Sequence, residues 1–399
     1  MKSLLKFTLT SVALAGSLYA TQYSDLQEQV NALIEEVESL KTEKTDKELS
    51  SYFGMGDAAS RVYQNDDKVS VGGYGHTDYI NKQGQDADTI DNYRAIMYFG
   101  YSFSDNIKFQ SEIEFEHGNE IKVEFAAVDF LVNDALNFRA GNFIIPVGNV
   151  NLRHEPTLFL NVSRPETERQ IIPSTWHDNG VMVYGKNGNF EYQFASTASL
   201  DATNKNDDNT TNIRKMRQAA SKSQANDAAY SARFTYKPVE GLQLIASGFT
   251  GGIDQGTVGM GNARVTITEA HILYNTNNIN FTALYAQTKI DGADKVASTN
   301  NGGLASKTNG YYATLGFKMG KWTPFVHFEE YDEFAEGYTN TGAEDTTTVD
   351  KTEAIGFGFN YYPHKQVVLK ADYMDQDVYT STTTKVSDDR FSLGVGYLF

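Results

Sequence analysis

The segment FSLGVGYLF, residues 391–399, alternates between large apolar residues and small ones as far as Tyr397. Successive side chains of a β-strand point to opposite faces, so Phe391, Leu393, Val395, Tyr397 and Phe399 would share one face. The opposite face would carry serine and glycine. Because five large apolar side chains on one face require an apolar environment, this strand must contact either a protein core or lipid.

The composition indicates an all-β protein. The chain has 399 residues, with 33 glycines, 24 tyrosines and 24 phenylalanines, and its mean hydropathy is −0.45. Aromatic residues favour strands and glycines favour turns. The formal charge of −17 argues against a nucleic-acid partner, since phosphate contacts require a basic surface. The chain contains no cysteine, which leaves no disulfide framework.

Residues 1–20 are predicted to be a cleavable secretory signal peptide, because Lys2 and Lys6 precede an apolar run that ends at Ala20. A transmembrane anchor is the alternative. Removal of these residues would change the formal charge from −17 to −19, since they contain two lysines and no acid. No run of 18 consecutive apolar residues follows, so a membrane-spanning form would have to be a β-barrel.

Residues 21–48 are predicted to form a short coiled-coil helix. Apolar residues recur at alternating spacings of three and four, as in a heptad repeat, from Tyr23 to Leu40. The predicted oligomerisation residues are Leu26, Val30, Leu33, Val37 and Leu40. Valine at a and leucine at d positions would favour two helices, and a single helix packed on its parent domain is the alternative. The polar residues 49–68 are predicted to be a linker.

From residue 69 onward the chain divides into sixteen segments of about ten residues that alternate with period two. The predicted strands are 69–80, 93–103, 107–117, 121–132, 136–145, 179–186, 190–198, 228–237, 241–250, 264–275, 279–290, 310–318, 322–332, 352–362, 367–377 and 390–399. Short turns alternate with longer polar loops, which is typical of an outer-membrane barrel. We therefore predict a sixteen-stranded antiparallel transmembrane β-barrel over 69–399, and a soluble β-sandwich or propeller is the alternative.

The alternation also assigns side chains to the two faces of the barrel. In IKFQSEIEFEH, residues 107–117, apolar residues alternate with polar ones. Lipid would take the apolar set and water the polar set. The predicted pore-lining residues are Arg94, Lys108, Glu112, Glu114, Glu116, Arg139, Arg233 and Lys370.

The segment 146–178, between the fifth and sixth strands, is unusually apolar for a loop. A solvated loop tip has no need of such residues. We therefore predict that this loop, the third on the extracellular side, folds inward and narrows the pore. The predicted constriction residues are Arg153, His154, Glu155, Arg164, Glu166, Glu168, Arg169, His177 and Asp178. Charges on opposite sides would filter ions, and local salt bridges that only shape the loop are the alternative.

The runs FRAGNFIIPVGNVNLRHEP, residues 138–156, and RPETERQIIPSTWHDNGVMVYG, residues 164–185, resemble the phosphate-selective outer-membrane porin family. The resemblance implies a homotrimer of sixteen-stranded barrels, and some members also begin with a short periplasmic coiled coil. The terminal aromatic residues resemble the C-terminal signature of bacterial outer-membrane proteins. The family's phosphate selectivity rests on rows of arginine and lysine. The loop 146–178 holds three arginines against four acids, so phosphate specificity is not carried over.

These features predict a porin of the bacterial outer membrane, with the short turns and the N-terminal helix in the periplasm. It would pass small hydrophilic solutes and ions by diffusion and would contact membrane lipids and lipopolysaccharide. Acidic loops at 86–91 and 342–350 would bind bridging divalent cations or simply be solvated. No cofactor, metal site or enzymatic activity is predicted. An anion-selective or phosphate-selective porin, an adhesin and a barrel hydrolase are the alternatives.

Overall fold

A computed structural model describes residues 51–64, 67–83, 87–206, 211–337, 339–340, 349–380 and 385–399. The predicted signal peptide (1–20) and coiled-coil helix (21–48) lie outside the described residues, as do the five oligomerisation residues from Leu26 to Leu40. Most of the acidic loop at 342–350 also lies outside them.

Sixteen long strands follow the order of the sequence. They are β1 (Val69–Lys82), β2 (Thr89–Ser104), β3 (Ile107–Glu116), β4 (Glu120–Asn133), β5 (Leu136–Ile144), β6 (His177–Asn187), β7 (Phe190–Ala198), β8 (Ala228–Tyr236), β9 (Leu242–Gly252), β10 (Arg264–Asn275), β11 (Ile279–Asp291), β12 (Lys307–Phe317), β13 (Trp322–Glu336), β14 (Val349–His364), β15 (Val367–Thr380) and β16 (Arg390–Leu398). Each overlaps one predicted strand.

Three helices and three very short strands complete the described structure. The helices are α1 (Arg61–Gln64), α2 (Glu166–Gln170) and α3 (Ala293–Asn300). Gly303–Leu304 pairs with Thr339–Asn340, and Lys385–Ser387 pairs with β15. No helix among the described residues is both long and apolar enough to cross a membrane.

The long strands form one closed antiparallel sheet in which each strand pairs with its neighbours in sequence. Closure comes from β1 and β16, whose register runs from the pair Tyr74 and Leu398 to the pair Lys82 and Arg390. Closure leaves no long edge strand to pair with another chain. The prediction of a sixteen-stranded antiparallel barrel is therefore confirmed.

The opening segment forms β16, and its two faces differ as the alternation predicts. The large residues from Phe391 to Phe399 point outward and are 40 to 49% exposed, whereas Ser392 is fully buried. The inner face is small because segment 146–178 packs against it. A Cβ atom added to Gly396 would lie 2.8 Å from Pro156, and one added to Gly394 would lie 3.1 Å from Val162.

Large apolar side chains are exposed around the rest of the barrel as well. Examples are Phe99, Phe130, Phe194, Phe234, Ile272, Phe328 and Phe357. A soluble monomer rarely exposes so extended an apolar surface. The outer face of the barrel is therefore suited to a lipid environment.

Two segments outside the strands pack within the barrel. One is 146–178, whose apolar residues join a buried core that includes Ile145, Ile172, Trp176, Met216 and Phe249. The other is 51–64, whose Phe53 packs with Phe143, Met182 and Tyr184. Residues 49–68 are predicted to be a linker, and residues 51–64 of that range pack against the barrel wall. Tyr52 and Phe53 share a pocket with Asn106, Asn133 and Lys186, close to the short turns.

Candidate functional site

Segment 146–178 bridges two separated arcs of the barrel wall. On one arc, the Gly148 carbonyl accepts a hydrogen bond from Arg233 Nη1 of β8 (2.7 Å). On the other arc, the Val162 amide donates to Asp372 Oδ2 of β15 (2.6 Å). Lys370 of β15 also donates to the carbonyl of Asn161 (2.8 Å). These hydrogen bonds hold the beginning and the middle of the segment to side chains on opposite parts of the wall.

Glu168 anchors the middle of this segment to itself and to the wall. Its carboxylate accepts hydrogen bonds from the amides of Asn149 (2.8 Å) and Val150 (2.5 Å) and from the Tyr312 hydroxyl of β12 (2.5 Å). Burial raises the pKa of Glu168 to about 7. One side chain thus satisfies three buried donors, which is a structural role.

Replacement of Glu168 by alanine should therefore destabilise the barrel. Each buried donor left without a partner costs about 1–3 kcal/mol. Denaturant unfolding of the detergent-solubilised barrel would measure the loss. Glu166→Ala is the matched control, because Glu166 makes a partly exposed ion pair with Arg169, worth roughly 0–1 kcal/mol, and accepts a long hydrogen bond from Gln170 (3.4 Å). Equal stability of the two variants would show that Glu168 does not anchor the segment.

Glu155 joins segment 146–178 to segment 51–64. Its Oε1 accepts hydrogen bonds from the amides of Ala58 (2.9 Å) and Ala59 (3.1 Å). Burial, with the charge of Asp57 adding to it, raises the pKa of Glu155 to about 7. The two inner segments therefore form one connected structure inside the barrel.

Segment 51–64 also contacts the wall through Asp129 of β4. The Asp129 carboxylate accepts hydrogen bonds from Tyr63 (2.6 Å), Tyr184 (2.7 Å), Gln110 (3.1 Å) and Arg139 Nε (2.9 Å). Asp129 is fully buried, and Arg139 is nearly so. This hub was not predicted, because its partner Tyr63 lies in the range read as a linker.

The predicted pore-lining residues point inward, but most of them contact protein. Six are nearly inaccessible to solvent: Arg94, Glu112, Glu114, Arg139, Arg233 and Lys370. Lys108 and Glu116 are half-buried. Segments 51–64 and 146–178 contact four of these six residues: Glu112 lies near His154, Arg139 contacts Tyr63, Arg233 donates to Gly148 and Lys370 donates to Asn161. A path for solutes must therefore run through the part of the barrel that segments 51–64 and 146–178 do not fill.

A cavity of about 730 Å³ occupies such a space. It lies beside segment 146–178, which contributes Ser163, Arg164, Glu166, Arg169 and Ser174. The barrel wall supplies Asp78, Asp91, Glu333 and Arg390, among others, and the connection between β7 and β8 supplies Arg214. Of the predicted constriction residues, the lining includes Arg164, Glu166 and Arg169. It does not include Arg153, His154, Glu155, Glu168, His177 or Asp178.

The charges around the cavity are not all neutralised. Arg169 pairs with Glu166 at 2.7 Å, and Lys82 pairs with Asp388 at 2.7 Å. Arg164 instead donates to the Thr175 hydroxyl (2.8 Å), and Arg214 donates to the Ser174 carbonyl. Neither of these two arginines forms an ion pair with a residue that the structure describes.

Arg217 lies next to Arg214 and adds another positive charge to the same basic region. Its guanidinium donates to the Pro173 and Thr175 carbonyls. Burial, together with the charge of Arg214, lowers the pKa of Arg217 to about 9. Sequence analysis missed Arg214 and Arg217. The available signal was the basic run NIRKMRQ, residues 212–218, in the polar connection between β7 and β8.

The fold is that of outer-membrane porins. DcaP, an outer membrane channel of Acinetobacter baumannii, has a TM-score of 0.56 at 11% identity, over 83% of this chain and 97% of its own. OmpF of Salmonella typhi, in complex with daunomycin, has a TM-score of 0.56 at 13% identity, with the same coverage. An anion-selective porin from Comamonas acidovorans has a TM-score of 0.53 at 12% identity, covering 83% of this chain and 99% of its own.

Comparison of the sequence identifies a relative with a higher identity than these solved structures. No family model matches the chain. An uncharacterized protein of Aquifex aeolicus (strain VF5) is 31% identical over 378 residues, which span 87% of this chain and 84% of the relative. The chain belongs to the same protein family as this uncharacterized Aquifex aeolicus protein.

Proposed function

We propose that the protein is an outer-membrane porin that passes small hydrophilic solutes and ions by passive diffusion. Three observations support this function: a closed sixteen-stranded barrel, an apolar outer face and a charged internal cavity of about 730 Å³. The cavity is the main support for the proposal, because a barrel that served only as a membrane anchor would need no charged interior space. Segment 146–178 forms part of its wall and narrows the path.

Purified protein in a planar bilayer tests this proposal directly. A porin gives discrete open-channel steps, and liposomes that contain it swell in solutions of small sugars. A barrel that conducts no ions and admits no sugar would contradict the proposed function. An adhesin without a pore would give that result.

Anion preference is the second candidate, and Arg164 and Arg214 favour it. Their guanidinium groups line the cavity without a carboxylate partner among the described residues. Fixed positive charges in a pore raise the local concentration of anions. Arg164 also lies in the runs that resemble the phosphate-selective porins. The acids Asp78 and Glu333 also line the cavity and would oppose the effect of the two arginines.

Arg164→Ala and Arg214→Ala should each shift the reversal potential in a salt gradient towards cation preference. Each variant removes one uncompensated positive charge from the cavity. Arg164→Lys and Arg214→Lys are the matched controls, because they keep the positive charge and remove only the guanidinium group. We expect little shift for these controls. Alanine variants that leave the reversal potential unchanged would show that these two arginines do not set the ion preference.

The assembly and location remain predictions. A related fold, OmpT of Vibrio cholerae, is described in a trimer form, which supports a homotrimer. The helix at 21–48 would lie in the periplasm and add oligomer contacts through Leu26, Val30, Leu33, Val37 and Leu40. Lipids and lipopolysaccharide would cover the outer belt. Cross-linking of wild type against Leu33→Asp would test the helix contribution.

A further inference from the structure

Three ligand-type side chains converge inside the barrel, away from the cavity. His154 of segment 146–178 places Nε2 at 3.1 Å from Glu112 Oε1 of β3 and at 3.4 Å from Glu124 Oε2 of β4. One ligand atom from each residue lies within 4.8 Å of the other two. All three side chains are buried, with residue exposures of 4% or less.

A β-bulge brings Glu124 to this position. In the pairing of β3 with β4, Glu112 lies opposite Phe125 and Ile113 lies opposite Val123, so Glu124 has no partner. The extra residue breaks the alternation of β4, and both Glu124 and Phe125 are buried. Bulges commonly redirect a side chain next to a functional site. Here the bulge adds a second carboxylate beside Glu112.

A hydrogen bond from the other ring nitrogen, Nδ1, fixes the orientation of His154. Its Nδ1 lies 2.9 Å from the carbonyl oxygen of Asn151, which can only accept, so Nδ1 carries the proton. Asn151 is itself held, because its side chain donates to the Ile145 carbonyl (2.8 Å) and accepts from the Trp176 amide (2.6 Å). A histidine that binds a metal typically donates its other ring N–H to a carbonyl or carboxylate in this way.

Each of the two carboxyl groups has one buried oxygen without a hydrogen-bond partner. Among the described residues, Glu112 Oε2 and Glu124 Oε2 have no hydrogen-bond partner. Glu114 adds a third buried carboxylate, and the guanidinium of Arg94 lies 3.5 Å from it. The single guanidinium can neutralise only one of these three groups. Burying the other two as carboxylates is costly, so they must bind either protons or a cation.

We infer that Glu112, Glu124 and His154 bind a divalent transition-metal ion, with Zn²⁺ as the representative member of the class. Imidazole nitrogen and carboxylate oxygen are ligands that Zn²⁺ accepts at roughly 2.0–2.2 Å. Two such ligands on a tetrahedral ion lie roughly 3.3–3.6 Å apart, close to the observed separations of 3.1 and 3.4 Å. A bound ion would tie segment 146–178 to β3 and β4. This inference does not depend on the proposed channel function.

Calorimetric titration with Zn²⁺ tests the site on full-length folded protein that a chelator has stripped of metal. We expect one ion per chain, and at least about tenfold weaker binding in each of His154→Ala, Glu112→Gln and Glu124→Gln. His271→Ala is the matched control. His271 is also buried and pairs with a glutamate (Nδ1 to Glu269 Oε2, 2.8 Å), but the described structure places no second carboxylate within ion-pair distance of it.

Heat-dependent gel mobility would confirm that each variant is folded. Should a variant fail to fold, Co²⁺ added to the wild-type protein provides an independent measurement. Visible absorption bands of four- or five-coordinate Co²⁺ that Zn²⁺ abolishes would support the site. The spectrum of hexaaqua Co²⁺ alone, absence of stoichiometric Zn²⁺ binding, or binding that survives all three substitutions would overturn it.

Discussion

Asp129→Ala is expected to destabilise the barrel by about 3–5 kcal/mol, the usual cost of leaving a buried charge without its partner. Arg139 would lose the carboxylate that its Nε contacts at 2.9 Å. The hydroxyls of Tyr63 and Tyr184 would lose the same acceptor. Because Tyr63 belongs to segment 51–64, this segment should also become accessible to protease.

Denaturant unfolding in detergent, followed by tryptophan fluorescence, would measure this loss. Asp134→Ala is the matched control from the adjacent turn, where Asp134 is largely exposed and lies 3.7 Å from Lys186. Such an ion pair contributes roughly 0–1 kcal/mol. Tyr63→Phe should fall between the two, since it removes a hydroxyl that donates to Asp129 (2.6 Å) and accepts from Arg139 Nη2 (3.0 Å) but keeps the pair of Asp129 and Arg139. Equal stability of the two alanine variants would mean that Arg139 finds another partner.

The barrel was predictable because its decisive signal is local. Residues 391–399 and 107–117 each display period two within ten residues, and that period alone assigns the outward and inward faces. The pattern also places Arg94, Glu112 and Arg233 on the inner face without any knowledge of their partners. It does not show whether an inward side chain meets water or protein, which depends on the segments inside the barrel.

Segment 51–64 could not be recognised in this way. It is short, contains two glycines and lacks a clear period. Its order comes from contacts with residues far away in sequence, such as Glu155 with Ala58 and Asp129 with Tyr63. Such contacts appear only when the barrel has brought distant strands together, so local propensity gives no sign of them.

The candidate site was also predictable only in part. Arg164, Glu166 and Arg169 were predicted because they belong to an unusually apolar loop. Arg214 was missed because the connection that carries it looks like an ordinary polar loop until it packs against residues 173–176. Glu124 was missed as a metal ligand because a bulge, which interrupts the period of its strand, determines its direction.

Release of segment 51–64 from the wall is expected to increase the single-channel conductance. The segment lies near the short turns and is held by aromatic contacts. Tyr52 stacks on Tyr63 at 3.8 Å, and Phe53 meets Tyr184 at 4.9 Å between ring centroids. Alanine at a buried phenylalanine costs about 3–5 kcal/mol. The triple variant Tyr52→Ala/Phe53→Ala/Tyr63→Ala should therefore detach this segment, while the sixteen-stranded sheet stays closed.

The matched control is Tyr52→Phe/Tyr63→Phe, which keeps the rings and removes only the hydroxyl groups. Its conductance should equal that of wild type, whereas the alanine variant should give larger and noisier open-channel steps. Limited proteolysis of both variants would show whether the segment has left the wall. A detached segment with unchanged conductance would mean that ions do not pass beside residues 51–64. The path would then have to leave the barrel along the strands that this segment does not cover.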